Sequence, residues 1–145
     1  MAVILALDVG ERRIGAAVGS TESGLARPYA VWQSHGRERD AMRIRELAAE
    51  TGADLLLVGL PLQSDGTPSP QAERVRRYVE GMIPSLPLPV EFRDEAYSTQ
   101  DAQALLRESG AGRRRRRELE DAAAAAVILQ SYLDSTGCRT TGAGS

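Results

Sequence analysis

The chain has 145 residues and a formal net charge of −2, with 42% hydrophobic and 26% charged residues, which are ordinary values for one soluble globular domain. All 18 basic residues are arginine, so the sequence excludes a Walker A phosphate loop and Schiff-base or pyridoxal chemistry, each of which needs a lysine. One histidine (His35) and one cysteine (Cys138) are too few for a zinc site or an internal disulfide, so oxygen ligands must hold any bound metal.

The amino-terminal part predicts three β-strands in quick succession. Residues 2–9 are short, apolar and rich in branched side chains, as in a buried strand. Residues 13–20 and 28–34 follow as further strands, with a turn at residues 21–24 and with Pro28 acceptable as the first residue of its strand. Strands in such quick succession favour an antiparallel meander.

Helices and strands then alternate along the chain. Apolar residues at helical spacing predict helices, and short apolar or alternating runs predict strands. The predicted order is a helix over residues 37–50, a strand over 54–60, a helix over 70–82, a strand over 89–95, and helices over 99–108 and 118–133. Because strands that alternate with helices imply parallel pairing, we expect an α/β fold. Its mixed five-stranded sheet would have three antiparallel strands plus parallel strands, flanked by helices.

Acidic residues lie where ligands collect in open α/β sheets, at the carboxyl ends of the strands. Asp8 ends the first strand, and Asp94 and Glu95 end the last; the alternation leaves the choice between these two open. Asp121 lies near the start of the last helix, where small residues allow close packing on the sheet. Each acid alone also fits a turn, a helix cap or a first-turn dipole role. Together they predict an oxygen-rich site for two Mg²⁺ or Mn²⁺ ions roughly 3.5–4 Å apart.

Arginines are concentrated beside these acids in sequence, although the net charge is slightly negative. Guanidinium groups suit phosphate oxygens, and we predict contacts with a nucleic-acid backbone for Arg12, Arg13, Arg113, Arg114, Arg115, Arg116 and Arg117. A further cluster comprises Arg74, Arg76 and Arg77. The five-arginine run also fits a solvated charged segment, or a disordered arm that becomes ordered on binding.

Four blocks of the sequence resemble, in the same order, the motifs of the YqgF family, also called RuvX. The blocks are LDVGERRIGAAVGS at residues 7–20, VGLPLQSDGTPSPQAERVRRYVEGM at 58–82, DEAYST at 94–99 and EDAAAAAVILQSYLD at 120–134. The resemblance implies a ribonuclease H-like fold. It also implies activity as a Holliday junction resolvase, or as a nuclease that matures the 5′ end of pre-16S ribosomal RNA. It carries the catalytic and metal-ligating roles onto Asp8, Glu95 and Asp121, and so favours Glu95 over Asp94.

One position departs from the family pattern. The family usually has Asp-Glu-Arg in the third block, and here Ala96 follows Glu95. A phosphate or structural contact is then either lost or supplied by Arg93 or Arg13. The departure keeps an alternative function open, a catalytically silent nucleic-acid or ribosome-assembly binding module of the same fold. An ATPase of the actin and sugar-kinase type also begins with Asp-x-Gly, but it needs two such domains.

The leading hypothesis is a metal-dependent endonuclease that hydrolyses phosphodiester bonds in branched DNA or precursor ribosomal RNA. We expect one nuclease domain over residues 1–136 and a flexible tail over residues 137–145. The sequence has no targeting segment and no apolar run long enough to cross a bilayer, so we expect a cytoplasmic protein without a membrane partner. A junction resolvase would need two active sites, and hence a twofold homodimer. The role of the irregular segment over residues 63–70 is left open.

Overall fold

The computed structural model describes residues 2–63, 67, 69–95 and 122–135. The strands are β1 (Val3–Val9), β2 (Arg13–Ser20), β3 (Ala26–Gln33), β4 (Leu55–Pro61) and β5 (Val90–Glu95). The helices are α1 (Arg37–Thr51), α2 (Pro70–Glu80) and the short 3₁₀ helix Ile83–Ser85, with a further helix, α3, over residues 122–135. The helix predicted over residues 99–108 and the tail over 137–145 lie outside the described residues.

The sheet has five strands in the order β3-β2-β1-β4-β5. The pairs β1–β2 and β2–β3 are antiparallel, because each follows a short turn. The pairs β1–β4 and β4–β5 are parallel, because α1 and α2 return the chain to the opposite end of the sheet. The predicted mixed sheet is therefore confirmed, and β1 lies at its centre, where the antiparallel half meets the parallel half.

Each face of the sheet carries its own aliphatic cluster, because successive side chains of a strand point to opposite faces. Leu5, Leu7 and Val58 pack beneath α1 and α2, with Ile44, Leu47, Val75 and Val79 among their partners. Ile4, Ala6 and Leu57 pack beneath α3, with Ala125, Ala126, Ile128 and Leu129 among their partners. The two faces are called below the α1/α2 face and the α3 face.

Strand β3 differs from its prediction in where it begins. It starts at Ala26 rather than at Pro28, so the expectation that proline is the first residue of the strand is wrong. The pairing with β2 shifts between Ala16, which faces Ala30, and Ala17, which faces Pro28. Tyr29 is therefore an extra residue in a β-bulge, and a bulge on an edge strand accommodates a proline that has no N–H to donate.

A buried carboxylate ties β3 to both helices of the α1/α2 face. Asp40 is 1% exposed and is the one buried polar or charged residue in the described part of the chain. Its oxygens accept hydrogen bonds from Trp32 Nε1 at 3.2 Å, Tyr78 Oη at 2.6 Å, Ser34 Oγ, and the backbone N–H of His35 at 3.3 Å. Burial and the hydrogen bond to Asp40 raise the pKa of Tyr78, so the phenol stays protonated and remains a donor.

His35 is exposed in the loop before α1. No helix among the described residues is long and apolar enough to cross a membrane.

Candidate active site

Asp8 lies at the carboxyl end of the central strand. It is the penultimate residue of β1 and is half-buried. Ile4 and Ala6 of the same strand belong to the α3-face cluster, so the period of two places the Asp8 side chain on that face as well. The prediction that Asp8 ends the first parallel strand is confirmed. The strand also places its side chain on the face of the sheet that α3 covers.

Glycine occupies the neighbouring position of Asp8 on both adjacent strands. Gly15 of β2 is its direct partner in the antiparallel ladder. On β4, Val58 pairs with Leu7, so Gly59 is the residue level with Asp8. Because neither glycine has a side chain, the carboxylate is not crowded by its neighbours in the sheet. This position of Asp8, with glycine beside it on both adjacent strands, is called below the Asp8 shelf.

Gly59 also determines how closely α3 approaches the sheet. A Cβ atom at this position would lie 2.3 Å from Ile128 Cδ1, closer than non-bonded carbon atoms approach, and a tight 3.0 Å from its Cγ1. Ile128 itself is fully buried. The absence of a side chain at Gly59 therefore allows α3 to pack directly against β4, beside the shelf that carries Asp8.

Glu95 is the last residue of β5 and pairs with Pro61 of β4. Two residues earlier, Arg93 reaches α3, where its guanidinium lies 5.6 Å from the ring centre of Tyr132 and its Nη2 lies 3.5 Å from Ser131 Oγ. Strand alternation assigns position 95 to the same face as position 93. Position 95 therefore shares with Asp8 both the α3 face and the carboxyl-end edge. The alternative acid, Asp94, is exposed and occupies the intervening position.

Asp121 and the arginine run Arg113–Arg117 lie outside the described residues, as does Ala96. The described part of α3 begins at the next residue, Ala122, which is fully buried. Gln130 fixes this helix across the antiparallel half of the sheet: its Nε2 donates to the Gly24 carbonyl and its Oε1 accepts from the Ala26 N–H, both at 2.9 Å. The direction of α3 is thus set by Gln130 and by the contact with Gly59.

Within its described residues, the structure shows no assembled three-acid cluster. Among residues 2–63, 67, 69–95 and 122–135, no three His, Cys, Asp or Glu residues lie close enough together to hold a metal ion. Of the predicted ligands, Asp8 alone has a described side chain. Its donor atoms are oxygens, which suit the hard divalent ions expected from the sequence. The chemistry of the Asp8 carboxylate thus fits such an ion.

Two of the predicted phosphate-binding residues lie where β1 turns into β2: Arg12 in the turn and Arg13 as the first residue of β2. Arg12 and Arg13 are exposed, and the turn is closed by a 2.9 Å hydrogen bond from the Gly10 N–H to the Arg13 carbonyl. A Cβ atom at Gly10 would lie 2.9 Å from that oxygen, so the tight turn requires glycine. The Arg12 carbonyl accepts from the Ser34 N–H at 2.8 Å, which anchors the turn to the end of β3.

A cavity beside this turn was not predicted from the sequence. It has a volume of about 350 Å³ and is lined by Val9, Gly10, Glu11, Ser34, Gln71, Arg74, Val75 and Tyr78. The one signal in the sequence was the arginine cluster that contains Arg74. Sequence reasoning could not relate that cluster to the end of β1, because the contact depends on how α2 packs on the sheet.

Comparison with known proteins agrees with this geometry. A family model described as RuvX, Holliday junction resolvase, matches residues 2–135. A protein of Chloroflexus aurantiacus is 40% identical over 133 residues, covering 92% of this chain and 87% of its own. A protein of Burkholderia lata is 44% identical over 133 residues, covering 92% and 89%. Both carry the name of candidate pre-16S rRNA nuclease.

Two solved structures share the fold at low sequence identity. The Fowlpox virus resolvase, in complex with Holliday junction DNA, is 14% identical with a TM-score of 0.57, covering 92% of this chain and 98% of its own. The RuvC protein of T. thermophilus, in complex with a Holliday junction substrate, is 16% identical with a TM-score of 0.55, covering 94% and 96%. With these neighbours, the expected ribonuclease H-like fold is confirmed. The match over residues 2–135, together with relatives at 40% and 44% identity, means that the chain belongs to the RuvX family of Holliday junction resolvases.

Proposed function

We propose that this protein is a divalent-metal-dependent endonuclease that hydrolyses phosphodiester bonds in structured nucleic acid. The observation that carries the proposal is the position of Asp8. It lies at the carboxyl end of the central strand, between Gly15 and Gly59, in a chain that matches a family of nucleic-acid resolvases over residues 2–135. Resolvases and nucleases of this fold generally use divalent metal ions.

In the proposed site, the carboxylates of Asp8, Glu95 and Asp121 would hold the divalent ions. Divalent ions held there would stabilise the attacking and leaving oxygens of an in-line displacement at phosphorus. Strand register supports the choice of Glu95, because position 95 shares a face with Asp8 whereas Asp94 falls on the opposite one. We propose Mg²⁺ or Mn²⁺, since a set of three carboxylates has no soft ligand.

The arginines would hold the phosphate backbone next to these acids. Arg12 and Arg13 are exposed on the tight turn that immediately follows β1. Arg113, Arg114, Arg115, Arg116 and Arg117 precede Asp121 in the sequence and are also proposed to bind the backbone. Guanidinium groups bind phosphate oxygens through paired hydrogen bonds, so both groups would position the strand without reading its sequence.

The names of similar proteins supply two substrates to test. The relatives from Chloroflexus and Burkholderia are named for pre-16S rRNA, and the structural neighbours bind Holliday junctions. We propose precursor ribosomal RNA and four-way DNA junctions as the candidate substrates, in a cytoplasmic protein. Paired cuts in a junction require two active sites related by a twofold axis, so a homodimer is part of the junction hypothesis only.

The test is a cleavage assay with Mg²⁺ or Mn²⁺ that compares a synthetic four-way DNA junction with a fragment of precursor ribosomal RNA. Asp8→Asn should lower the cleavage rate by a factor on the order of 10³, equivalent to about 4 kcal/mol of transition-state stabilisation. Its unfolding midpoint should stay close to that of the wild type. Chelation of the divalent ions should abolish cleavage in the same way.

A matched pair of variants tests the choice between the neighbouring acids. Glu95→Gln should reduce the rate about as strongly as Asp8→Asn, whereas Asp94→Asn should leave it within about twofold, because an exposed acid off the α3 face contributes little to a metal site there. Equal loss in both variants would overturn the assignment of Glu95. If the wild type cleaves neither substrate with either ion, the silent binding module becomes the better account, and Ala96→Arg is the variant to make next.

A further inference from the structure

The cavity beside the β1–β2 turn lies at the same sheet edge as the proposed active site. Val9 lines it, and Val9 directly follows Asp8. Because successive residues of a strand face opposite sides, Asp8 faces α3 while Val9 faces α2. The cavity and the Asp8 shelf therefore lie on opposite faces of the sheet at the carboxyl end of β1. A polynucleotide chain that crosses this edge would meet both.

The lining of the cavity has the character of a nucleobase site. Its apolar part comprises Val9, Val75 and the half-buried ring of Tyr78, and its polar part includes the exposed side chain of Gln71. A base has two apolar faces and an edge of hydrogen-bond donors and acceptors. The side-chain amide of glutamine supplies both a donor and an acceptor for such an edge. The volume of about 350 Å³ is within the range of small-molecule sites and leaves room for one base and its sugar.

A basic groove continues from the cavity along α2. It is lined by Arg37, Pro70, Glu73, Arg74, Arg77 and Tyr78, and it shares Arg74 and Tyr78 with the cavity. Arg37 is oriented by stacking over the Tyr78 ring, at 5.3 Å from the ring centre, and by donating to the Tyr78 carbonyl at 3.1 Å. The groove therefore brings guanidinium groups to the mouth of an apolar cavity, as a base joined to its phosphates would require.

The ion pairs of the groove leave its arginines available to a stronger partner. Arg74 Nη1 lies 3.4 Å from Glu11 Oε1, with the two side chains 64% and 71% exposed. Arg77 Nε lies 3.1 Å from Glu73 Oε1 and is also well exposed. Exposed pairs contribute only about 0–1 kcal/mol, whereas hydrogen bonds between an arginine and a phosphate are charge-assisted and bidentate. Arg74 can therefore turn from Glu11 to a phosphate at small cost.

We propose that this cavity binds the base of an unpaired nucleotide in the substrate strand, with the adjoining phosphates on Arg74, Arg77 and Arg37. The proposal rests on the proposed nuclease function, because it takes the substrate strand from the Asp8 shelf over the Arg12–Arg13 turn to α2. It deepens that function by assigning a preference for substrates with a single-stranded nucleotide next to the cut. A free mononucleotide has the same chemistry and is the second source that the experiment must distinguish.

The experiment measures binding of the protein to fluorescent single-stranded oligonucleotides. Asp8→Asn protein, which would bind without cutting, is mixed with single-stranded RNA and DNA twelve-mers that carry 2-aminopurine at successive positions. One position should change its fluorescence on binding. Arg74→Ala should weaken binding about tenfold, corresponding to one lost charged hydrogen bond, and should remove the change. Gln71→Ala should remove the change with a smaller loss of affinity.

Arg43→Ala is the matched control. Arg43 also pairs with a neighbouring glutamate, Glu46, at 3.3 Å on a helix surface, and it lines neither the cavity nor the groove. Arg43→Ala removes the same charge as Arg74→Ala and also removes an exposed ion pair, here one within a single helix. Its affinity and its fluorescence should match those of the parent protein. A loss equal to that of Arg74→Ala would reveal a nonspecific charge effect and overturn the proposal.

Two further outcomes would also overturn it. No position with altered fluorescence, or an alteration that persists in both Gln71→Ala and Arg74→Ala, would show that the base does not enter the cavity. Binding of adenosine monophosphate that no oligonucleotide displaces, with amide resonances of Gly10 and Gln71 shifted, would assign the cavity to a free nucleotide. Failure of the nuclease function is separate: Asp8→Asn would then cleave like the wild type, whatever the fluorescence shows.

Discussion

The contact between Gly59 and Ile128 predicts that one methyl group added at position 59 destabilises the protein. In Gly59→Ala the new Cβ would lie 2.3 Å from Ile128 Cδ1, against a normal carbon contact of about 3.5 Å. The shortfall of about 1.2 Å must be relieved by a strained Ile128 side chain or by displacement of α3 from β4. Either change costs free energy, because Ile128 is fully buried in the same cluster as Leu57 and the alanines of α3.

Overpacking of this kind typically costs about 1–3 kcal/mol. For a domain of this length, 2 kcal/mol corresponds to a melting temperature lower by roughly 4–8 °C. We expect that decrease for Gly59→Ala in thermal unfolding, and a matching decrease in the urea midpoint. Because the described part of α3 directly follows Asp121 in the sequence, displacement of the helix should also lower the rate of metal-dependent cleavage.

Ile128→Val provides the matched rescue, because it removes the Cδ1 atom that the new methyl group would meet. Alone it should cost about 0.5–1.5 kcal/mol as an ordinary loss of one buried methyl group. In combination with Gly59→Ala it should restore stability, with a coupling energy on the order of 1 kcal/mol. Additive effects in the double variant, or a Gly59→Ala protein as stable as the wild type, would refute the close packing of α3 on β4 as the reason for glycine at this position.

Three further outcomes follow from the polar anchors. Asp40→Ala should lower the free energy of unfolding by about 3 kcal/mol, because several donors lose their buried acceptor at about 1 kcal/mol each; urea unfolding measures the loss, and a change below about 1 kcal/mol would contradict it. The pKa of Tyr78 is raised in the folded protein, so the unfolded chain loses this proton first as the pH passes the ordinary value of 10.0. The free energy of unfolding should therefore fall above that pH, and the fall should be smaller in Tyr78→Phe. Gln130→Ala should cost about 1–2 kcal/mol, since it frees the Ala26 N–H and the Gly24 carbonyl, and hydrogen exchange at Ala26 should accelerate; an unchanged rate would contradict it.

The sheet could be predicted because its information is local. Hydrophobic runs of strand length and the spacing of α1 and α2 are visible in the sequence, and short connections lead to antiparallel neighbours whereas helical connections lead to parallel ones. That reasoning also placed Asp8 at the edge where ligands collect. The same reasoning could not choose between Glu95 and Asp94, since the sequence of β5 does not reveal which of its faces is turned toward α3.

The parts that were missed depend on contacts between distant elements. Asp40 directly precedes the apolar stripe of α1 and looks like a first-turn acid, but donors from β3 and α2 make it a buried anchor. Pro28 was predicted to start a strand, because nothing in the local sequence reveals the bulge opposite Ala16 and Ala17. The cavity beside Gly10 needs the packing of α2 on the sheet, which no spacing within α2 specifies.

The bulge at Tyr29 also bears on how two copies of this chain could meet. In the described part of the molecule β3 is an outer strand of the sheet, and an outer strand with a regular row of N–H and carbonyl groups invites a second chain to extend the sheet. Here Pro28 removes one donor, and the bulge breaks the regular spacing of the others. Continuous sheet extension through β3 is thereby disfavoured. In a twofold assembly able to cut both strands of a junction, helices, loops or the opposite edge are therefore better placed than β3 to join the two copies.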